Sequence, residues 1–312
     1  MPRILDGVAI AAAIKQEVAE EVKKLAAQGI RPGLAVILVG NDAGSEIYVR
    51  GKAQTCTELG LYSEVLTPPA NISTQEMLGL VDQLNRRDEI DGILIQLPVP
   101  AHMDTKALLD AIDPTKDVDG FHPMNVGRLL AGRPALAPCT PAGVIEILKR
   151  CEIPINGKHA VVVGRSDIVG KPTAMLLLHE NATVTITHSK TQDLGAITRQ
   201  ADILVAAIGR PGFITSEMVK PGATLIDVGI NRINDRAEFN RFFAGNAKRE
   251  AAFAKNGSVL VGDIDPKAFE LSGAYTPVPG GVGKLTIAML MANTVRAAQM
   301  RRAKHAGSCA HA

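Results

Sequence analysis

The apolar positions of the chain follow two alternating spacings. Near the N-terminus, Ile10, Ile14 and Val18 recur at the interval that places side chains on one face of a helix. Further along, short apolar and β-branched runs alternate with segments of helical spacing. Such runs, bounded by glycine, proline or polar residues, are typical of buried parallel strands. The pattern therefore predicts an α/β fold in which helices connect parallel strands.

The spacing also predicts the positions of the elements and of two domains. Helices are expected at about 8–28, 43–59, 73–86, 104–111 and 285–298, and strands at 34–39, 92–96, 160–163, 183–187, 203–208, 224–228 and 258–261. We expect a first α/β domain, 1–140, on which a C-terminal helix, 284–300, packs back. A second domain, 141–283, is expected to hold a Rossmann-like, doubly wound parallel sheet. Residues from about Arg301 are expected to form a frayed tail.

Composition narrows the class of protein. The chain has 312 residues, of which 46% are hydrophobic and 21% charged, as in a soluble globular protein. Its net charge of +2 gives no reason to expect a nucleic-acid or membrane partner. The four cysteines lack the C-x-x-C spacing of zinc sites, which favours a reducing cytoplasm and no bound metal. No stretch approaches the roughly 20 apolar residues that span a bilayer.

The most informative segment runs from residue 159 to 172. An apolar strand ends at Gly164, a polar loop follows, and a helical pattern begins near Pro172. Such a loop between a strand and a helix presents free N–H groups and a positive helix end to a phosphate. Gly170 completes the loop, while Ser166 stands where the common fingerprint has a middle glycine. An ordinary tight strand-to-helix turn is the alternative.

The end of the next predicted strand indicates which dinucleotide binds. Sites specific for NAD usually carry an Asp or Glu there, which accepts bonds from the ribose hydroxyls. This chain has His188, Ser189 and Lys190 instead, with Arg165 nearby in the preceding loop. A hydroxyl and positive charges suit a 2′-phosphate. The sequence thus predicts NADP rather than NAD, a preference that the negative charge of Asp167 in the same loop weakens.

Several polar side chains of the first domain are candidates for chemistry. Tyr48 and Lys52 share one helix face, and a lysine held away from bulk water suits proton transfer. Gln96 ends a strand where open α/β sheets bind ligands. A solvated surface lysine and an amide bonded only to backbone are the alternatives. The polar loop 113–123 contains Asp113, Asp117 and Asp119, and we expect one of them to bind the N–H groups of a heterocycle. A capped turn built on Asp119 and Gly120 is the alternative.

These residues fall within ordered motifs that resemble one known family. The motifs are YVRGK at 48–52, DGILIQLPVP at 91–100, DVDGFHP at 117–123, GRSDIVGKP at 164–172 and PVPGGVG at 277–283. Together they are similar to the bifunctional methylenetetrahydrofolate dehydrogenase/methenyltetrahydrofolate cyclohydrolase family. The resemblance implies NADP-dependent oxidation of 5,10-methylenetetrahydrofolate to the 5,10-methenyl cation, followed by hydrolysis to 10-formyltetrahydrofolate.

The resemblance also implies roles for individual residues. The implied catalytic residues are Tyr48, Lys52, Gln96 and Asp119, with Lys52 handling the proton of the hydrolytic step. The implied substrate-binding residues are Ser45, Tyr48, Asp119, Pro279, Gly280 and Gly281. The implied cofactor-binding residues are Gly164, Arg165, Ser166, Ile168, Val169, Gly170, His188, Ser189, Gly209 and Ile230. A homodimer, tetrahydrofolate derivatives as substrate, and a place in the one-carbon metabolism that serves purine biosynthesis are implied in the same way.

Three departures from the family pattern leave alternatives open. Gln54 stands where relatives often have a second lysine, which makes a dehydrogenase without cyclohydrolase activity conceivable. Lys284 replaces a usual proline. The segment 235–257 is longer than in many relatives, and we expect an amphipathic helix there that packs on the cofactor domain, with a partner contact as the alternative. A non-catalytic dinucleotide sensor is a further alternative, which has no need of the candidate catalytic residues.

Overall fold

The structure is a computed structural model that describes residues 1–309, including all side chains except those of residues 43 and 304–309. The chain divides into two compact units. The six-strand unit comprises residues 1–11 and 140–286. The three-strand unit comprises residues 12–139 and the chain from residue 287 onward.

The predicted alternation of helices and strands is confirmed, with some additions. The strands are β1 (Arg3–Ile4), β2 (Gly33–Ile37), β3 (Tyr62–Leu66), β4 (Gly92–Ile95), β5 (His159–Val163), β6 (Thr183–Thr187), β7 (Ile203–Ala206), β8 (Thr224–Asp227), β9 (Asn231–Ile233), β10 (Val259–Val261) and β11 (Ala274–Tyr275). The helices are α1 (Gly7–Ala26), α2 (Ala43–Leu59), α3 (Thr74–Arg86), α4 (Thr105–Asp110), α5 (Pro123–Leu130), α6 (Cys139–Arg150), α7 (Gly170–His179), α8 (Leu194–Thr198), α9 (Arg236–Phe243), α10 (Ala247–Asn256) and α11 (Val282–Cys309). None of the described helices has the length and apolarity to cross a membrane.

The three-strand unit is built on a parallel sheet in the order β3-β2-β4. All residues of β2 and β4 are buried, which explains why their sequences are continuous apolar runs. One face of the sheet packs on α3 and α4 through residues such as Ile37, Met77 and Leu108. The edge strand β3 is missing from the sequence-based prediction because it is only partly buried, so that Ser63 and Glu64 interrupt its apolar run.

A buried lysine from another part of this unit caps the C-terminus of α3. The ammonium group of Lys116 donates to the carbonyls of Leu84, Asn85 and Arg87, at 3.1, 2.8 and 2.7 Å. These carbonyls lie in the last turn of α3 and directly after it, where the helix supplies few N–H donors. The Leu84 carbonyl also accepts the Arg87 N–H, and the Arg87 carbonyl accepts the Ile90 N–H, each at 3.3 Å. Burial lowers the pKa of Lys116 to about 8, and the nearby charge of Arg301 acts in the same direction.

The C-terminal part of α11 belongs to the three-strand unit. The side-chain amide of Asn293 donates 2.8 Å hydrogen bonds to the carbonyls of Val118 and Ala137. Arg301 is buried and donates to the carboxylate of Asp91, which is fully buried. The predicted packing of this helix on the first domain is confirmed. The predicted frayed tail from about Arg301 is wrong for the described residues, because α11 continues to Cys309 and Arg301 pairs with a buried carboxylate. Residues 310–312 lie outside the part of the chain that the structure describes.

The six-strand unit has one parallel sheet in the order β1-β11-β8-β7-β5-β6. Numbered from β5, five of these strands follow the doubly wound order 2-1-3-4-5, which confirms the predicted fold class. The direction of winding reverses between β5 and β7. Ligands of such sheets bind beyond the carboxyl ends of the strands at this point. Gly164 directly follows β5 there.

Two parts of this unit differ from the sequence-based prediction. The predicted strand at 258–261 exists as β10, but it pairs antiparallel with β9 in a separate ribbon. Its expected place in the parallel sheet is taken by β11, with β1 beyond it. Residues 1–11 therefore belong with this sheet, and their predicted place in the first domain is wrong. Both strands have only two residues, which is too short for a recognisable hydrophobic pattern.

The segment 235–257 forms two helices, α9 and α10, instead of the single helix predicted. Phe239, Phe242 and Phe243 are buried together with Ile233 and with the apolar residues of β10. We call Phe239, Phe242, Phe243 and Phe253 the phenylalanine cluster. The prediction that this segment packs on the cofactor domain is confirmed, because its aromatic side chains form a small core with the β9–β10 ribbon.

We expect the Lys116→Met variant to be less stable at pH 7 by about 3 kcal/mol, because the carbonyls at the end of α3 lose a charged donor. The free energy of unfolding is measured by urea titration. The exposed Lys106→Met variant is the matched control. If Lys116→Met were as stable as this control, the ammonium group would contribute nothing at the helix end.

The same variant is expected to change the pH dependence of stability. An unfolded lysine titrates at about 10.4, whereas the folded pKa of Lys116 is about 8. Between these two values Lys116 is protonated in the unfolded chain but not in the folded protein, so its contribution to the free energy of unfolding rises with pH. This contribution is lost as the pH falls through about 8. The stability difference between wild type and variant should therefore be larger near pH 9.5 than at pH 7.

Candidate functional site

Helix α2 carries the first group of candidate residues. Its N-terminus is capped by Asp42, whose carboxylate accepts the N–H of the buried Ser45 at 2.8 Å. Tyr48 and Lys52 lie one turn apart on the helix. Tyr48 is 50% exposed, whereas Lys52 is only 9% exposed. Lys52 is therefore not a solvated surface lysine.

Gln96 lies directly after β4 and contacts Lys52. The Lys52 ammonium donates to Gln96 Oε1 at 2.9 Å. The side-chain nitrogen of Gln96 donates to the Leu97 carbonyl at 2.8 Å, and its backbone N–H donates to the carbonyl of Ile37 at the same distance. These bonds turn the amide oxygen toward the lysine. Gln96, at the carboxyl end of β4, thus fixes the position of the Lys52 nitrogen.

Asp119 is held by a loop that a second aspartate organises. The buried carboxylate of Asp117 accepts three backbone N–H bonds at 2.8–3.2 Å, from Gly120, Phe121 and His122. Gly120 has a φ of +73°, and a side chain there would collide with the backbone of residues 136–138. The motif at 117–123 is therefore needed for its backbone shape as well as for its carboxylates.

The surroundings of Asp119 make it an unusual carboxyl group. Burial raises the pKa of Asp119 to about 6, although the positive charge of Lys52 opposes the rise. Burial also raises the pKa of the neighbouring Cys139 thiol. At neutral pH this part of the site thus contains a carboxylate, which can accept N–H groups, near the Lys52 side chain and a neutral thiol.

Gln54 lies one half-turn beyond Lys52 on α2. Its side-chain nitrogen donates to the Glu58 carboxylate at 2.8 Å, and the side chain is exposed. Gln54 therefore brings no second positive charge to Lys52.

In the six-strand unit, the loop after β5 leaves no space for side chains at its two glycines. Gly164 has a φ of +128°, and a Cβ atom there would lie 2.1 Å from the carbonyl oxygen of Ala207. A Cβ atom on Gly170 would lie 2.3 Å from the carbonyl oxygen of Gly164. The backbones after β5 and β7 and at the start of α7 therefore touch where the winding reverses, as dinucleotide sites require.

Ser166 occupies the helix end that was predicted to be free for a phosphate. Its hydroxyl accepts the N–H groups of Val169 and Gly170 at 3.3 and 3.2 Å, and its carbonyl accepts that of Lys171 at 3.1 Å. The backbone N–H groups of Arg165 and Ser166 have no hydrogen-bond partner within residues 1–309. The donors available to a phosphate thus lie in the loop instead of the first helical turn.

The end of β6 lies beside this loop. The Gly164 N–H donates to the carbonyl of Thr187 at 2.9 Å, and the exposed Ser189 follows two residues later. In the loop, Asp167 pairs with Lys171 at 2.5 Å, which offsets the negative charge that weakened the preference for NADP. A hydroxyl and positive charge at this edge fit a 2′-phosphate, and residues 188–190, directly after β6, include no carboxylate to accept ribose hydroxyls.

Two buried aspartates that the sequence analysis missed order the neighbouring loops. Asp263 accepts three backbone N–H bonds at 2.6–3.0 Å, from Ile208, Gly209 and Arg210 after β7. It also accepts the side-chain amide of Asn231 at 2.9 Å. Gly209, an implied cofactor residue, is thus held in place by a carboxylate from another loop.

Asp227 ends β8 and supports Asp263. Its carboxylate accepts N–H bonds at 2.8–3.0 Å from Gly229, Asp263 and Ile264. Burial raises the pKa of Asp227 to about 7. A Cβ atom on Gly262 would lie 1.8 Å from this carboxylate, so only glycine fits. The signal in the sequence was an aspartate at a strand end followed shortly by glycine.

The segment 276–281 joins β11 to α11. The buried hydroxyl of Thr276 accepts the Asp227 N–H at 2.8 Å. A Cβ atom on Gly281 would lie 2.7 Å from the carbonyl oxygen of Pro277. This segment therefore has a constrained backbone at both ends.

The remaining implied residues differ in exposure. Ile168, Ile230 and Pro279 are exposed, while Val169, His188 and Gly280 are partly exposed. Within residues 1–309, no group of three or more His, Cys, Asp or Glu side chains is placed to hold a metal ion.

Two family models match the chain over most of its length. One describes the catalytic domain of tetrahydrofolate dehydrogenase/cyclohydrolase and matches residues 5–119. The other describes the NAD(P)-binding domain of the same family and matches residues 138–302.

Individual proteins agree with this result. A bifunctional protein FolD from Koribacter versatilis is 67% identical over 96% of this chain and 97% of its own length. A bifunctional FolD methylenetetrahydrofolate dehydrogenase/cyclohydrolase structure from Campylobacter jejuni has a TM-score of 0.87 and 44% identity, over 96% of this chain and all of the other. The Trypanosoma brucei enzyme, solved with NADP and an inhibitor, has a TM-score of 0.85 and 38% identity, over 96% and 98% of the two chains. The chain belongs to the tetrahydrofolate dehydrogenase/cyclohydrolase family, as the motifs predicted.

Proposed function

We propose that the protein oxidises 5,10-methylenetetrahydrofolate with NADP and hydrolyses the resulting 5,10-methenyl cation to 10-formyltetrahydrofolate. The observation that carries the proposal is the bond of the nearly buried Lys52 to Gln96, close to the Asp119 carboxyl. An ammonium oriented by an amide suits proton transfer. The name of the Campylobacter jejuni relative, which describes both activities, supports the proposal.

In this proposal the polar side chains of the three-strand unit bind and orient the folate. Asp119, ionised above about pH 6, would accept N–H groups of the pterin ring. The half-exposed ring of Tyr48 would cover the substrate, with Ser45 one turn before it on α2. The backbone of Pro279, Gly280 and Gly281 would flank the folate.

The hydrolytic step requires proton transfer. NADP held by the loop after β5 would supply the hydride acceptor for the methylene carbon, which would leave the substrate as the methenyl cation. Water then adds to that carbon, a carbon–nitrogen bond opens, and a proton is lost. Lys52 would move this proton, while Gln96 holds the lysine nitrogen in place through their 2.9 Å bond.

The six-strand unit would bind NADP at the reversal of its winding. The free N–H groups of Arg165 and Ser166 would receive the diphosphate, with Gly164 and Gly170 allowing its close approach. The Arg165 guanidinium and the Ser189 hydroxyl would hold the 2′-phosphate. The Trypanosoma brucei relative, whose structure contains NADP, supports this choice of cofactor.

A dehydrogenase that lacks the hydrolytic step is the second candidate. Gln54 is the observation that favours it, because this residue adds no charge beside Lys52. The two candidates share the first reaction and differ only in the fate of the methenyl cation.

We also propose a cytoplasmic homodimer. Three buried cysteines, Cys56, Cys139 and Cys151, are unpaired, as expected in a reducing compartment. At the edge of the six-stranded sheet, Ile186 on β6 and Leu178 on α7 are exposed apolar side chains, and an open strand edge favours pairing. The 10-formyl product would serve formyl transfer, as in purine biosynthesis.

The Lys52→Met variant is expected to lose cyclohydrolase activity by at least about 100-fold, because a positioned proton-transfer group contributes on that scale. NADPH formation and decay of methenyl-folate absorbance are followed separately. Lys15→Met is the matched control. Lys15 lies on α1 and donates to Thr55 on α2, the helix that carries Lys52. Methenyl-folate hydrolysis at the wild-type rate in Lys52→Met would remove Lys52 from its role. NADPH formation without any hydrolysis by the wild type would favour the dehydrogenase-only candidate.

Arg165→Ala is expected to raise the KM for NADP by roughly tenfold or more, because a charged donor to the 2′-phosphate is lost. The KM for NAD, which lacks this phosphate, should change little and serves as the control within the variant. Equal changes for the two cofactors would exclude Arg165 from phosphate recognition, and a higher kcat/KM with NAD in the wild type would overturn the choice of NADP.

Light scattering after gel filtration is expected to show the mass of two chains for the wild type. Ile186→Lys places a charge on the open edge of β6 and should give a single-chain mass at micromolar concentration. Leu130→Lys, at another exposed apolar residue, is the control and should remain dimeric. A dimer that survives Ile186→Lys would locate the interface elsewhere.

A further inference from the structure

Arg249, on α10, contacts both the phenylalanine cluster and the segment 276–281. Its guanidinium lies 4.7 Å from the ring centroid of Phe243. It donates to the carbonyl of Leu260 at 3.2 Å and to that of Val278 at 2.5 Å. Arginine keeps its charge in such surroundings, and hydrogen bonds from a charged donor are stronger than neutral ones. The Val278 carbonyl thus receives a strong donor from a helix remote in sequence.

Packing alone does not hold the segment 276–281 on this side. A cavity of about 210 Å³ lies next to it, lined by the rings of Phe242, Phe243 and Tyr275 together with Pro277 and Val278. Atoms that border a cavity lack van der Waals partners on that side. Arg249 is also part of the lining, so its bond to Val278 joins two walls of this cavity.

Within residues 1–309, the other hydrogen bonds of this segment lie near its ends. Thr276 accepts the Asp227 N–H at 2.8 Å, and the Gly281 carbonyl accepts the Lys284 N–H at 3.2 Å. Val278 lies between these two points and directly precedes Pro279. The guanidinium of Arg249 therefore acts at the middle of the segment, next to the backbone that is proposed to flank folate.

We propose that Arg249 is a positioning residue that holds the Val278 carbonyl, so that the backbone of Pro279, Gly280 and Gly281 is in place for the folate substrate. The inference rests on the proposed function of that backbone. It gives the segment 235–257 a role in substrate affinity: the phenylalanine cluster folds the two helices, and the folded helices present one guanidinium to the loop.

The Arg249→Met variant keeps an apolar stem over Phe243 but loses both hydrogen bonds. Its KM for 5,10-methylenetetrahydrofolate at saturating NADP is expected to rise by roughly tenfold, because the loop must be ordered on binding. Arg249→Lys, which retains one charged donor, should give an intermediate KM. In both variants kcat should change less than KM, because Arg249 does not touch the reacting atoms.

Arg236→Met is the matched control within the same segment. Arg236 lies 5.0 Å from the Phe239 ring centroid and pairs with Glu250 at 2.6 Å, contacts that remain inside 235–257. Its KM should stay within about twofold of the wild type. A KM within twofold of wild type for Arg249→Met would overturn the inference while wild-type turnover upholds the proposed function. An equal rise in KM for Arg236→Met would also overturn it, since a general loosening of the helices would then be the cause.

Hydrogen exchange gives a readout that does not depend on activity. In the ligand-free protein, peptides covering 276–284 should exchange faster in Arg249→Met than in wild type or Arg236→Met. Unchanged exchange in these peptides would contradict the inference. Faster exchange in a protein that shows no turnover of methylenetetrahydrofolate would support the positioning of the segment and reject only the proposed function.

Discussion

The carboxyl edge of the large sheet depends on two buried carboxylates, Asp227 and Asp263. A carboxylate removed from water is tolerated only when donors surround it, and here the donors are backbone N–H groups of three separate loops. The same bonds satisfy N–H groups that would otherwise be buried without partners. Because Asp227 also binds Thr276 through its own N–H, one bonded network sets the backbone on which cofactor and substrate binding are proposed.

The three-strand unit uses buried polar groups in the same way. Lys116 ends α3, Asp117 shapes the loop that carries Asp119, and Asp91 holds the last helix through Arg301. Buried groups of this kind add little net stability when they are fully paired, but they are costly when a partner is missing. They therefore restrict the backbone to one arrangement, which is what places Lys52 and Gln96 within 2.9 Å. In the same way, the bond of Arg249 to the Val278 carbonyl restricts the backbone of the segment 276–281, which borders a cavity.

Much of the fold and of the site was predictable from local pattern. Helix α3 has strong hydrophobic periodicity, strands β5 and β7 are continuous apolar runs, and the motifs identified the candidate residues. The short strands β1 and β11 were not predictable, because a two-residue strand has no periodicity. The end of α11 was mistaken for a tail, because nothing near Arg301 in sequence reveals that its partner is Asp91. The roles of Asp263 and Arg249 depend in the same way on contacts between residues far apart in the chain.

The sequence by itself determined the α/β class, the family, the preference for a 2′-phosphate and the identity of Lys52, Gln96 and Asp119 as candidates. These conclusions rest on residue type and spacing, which are local properties. Only the tertiary structure decided which lysine is buried against an amide, which carboxyl has a pKa raised to about 6, and which N–H groups of the phosphate loop are free. Burial, hydrogen bonding and desolvation depend on neighbours brought together by folding, and no spacing along the chain encodes them directly.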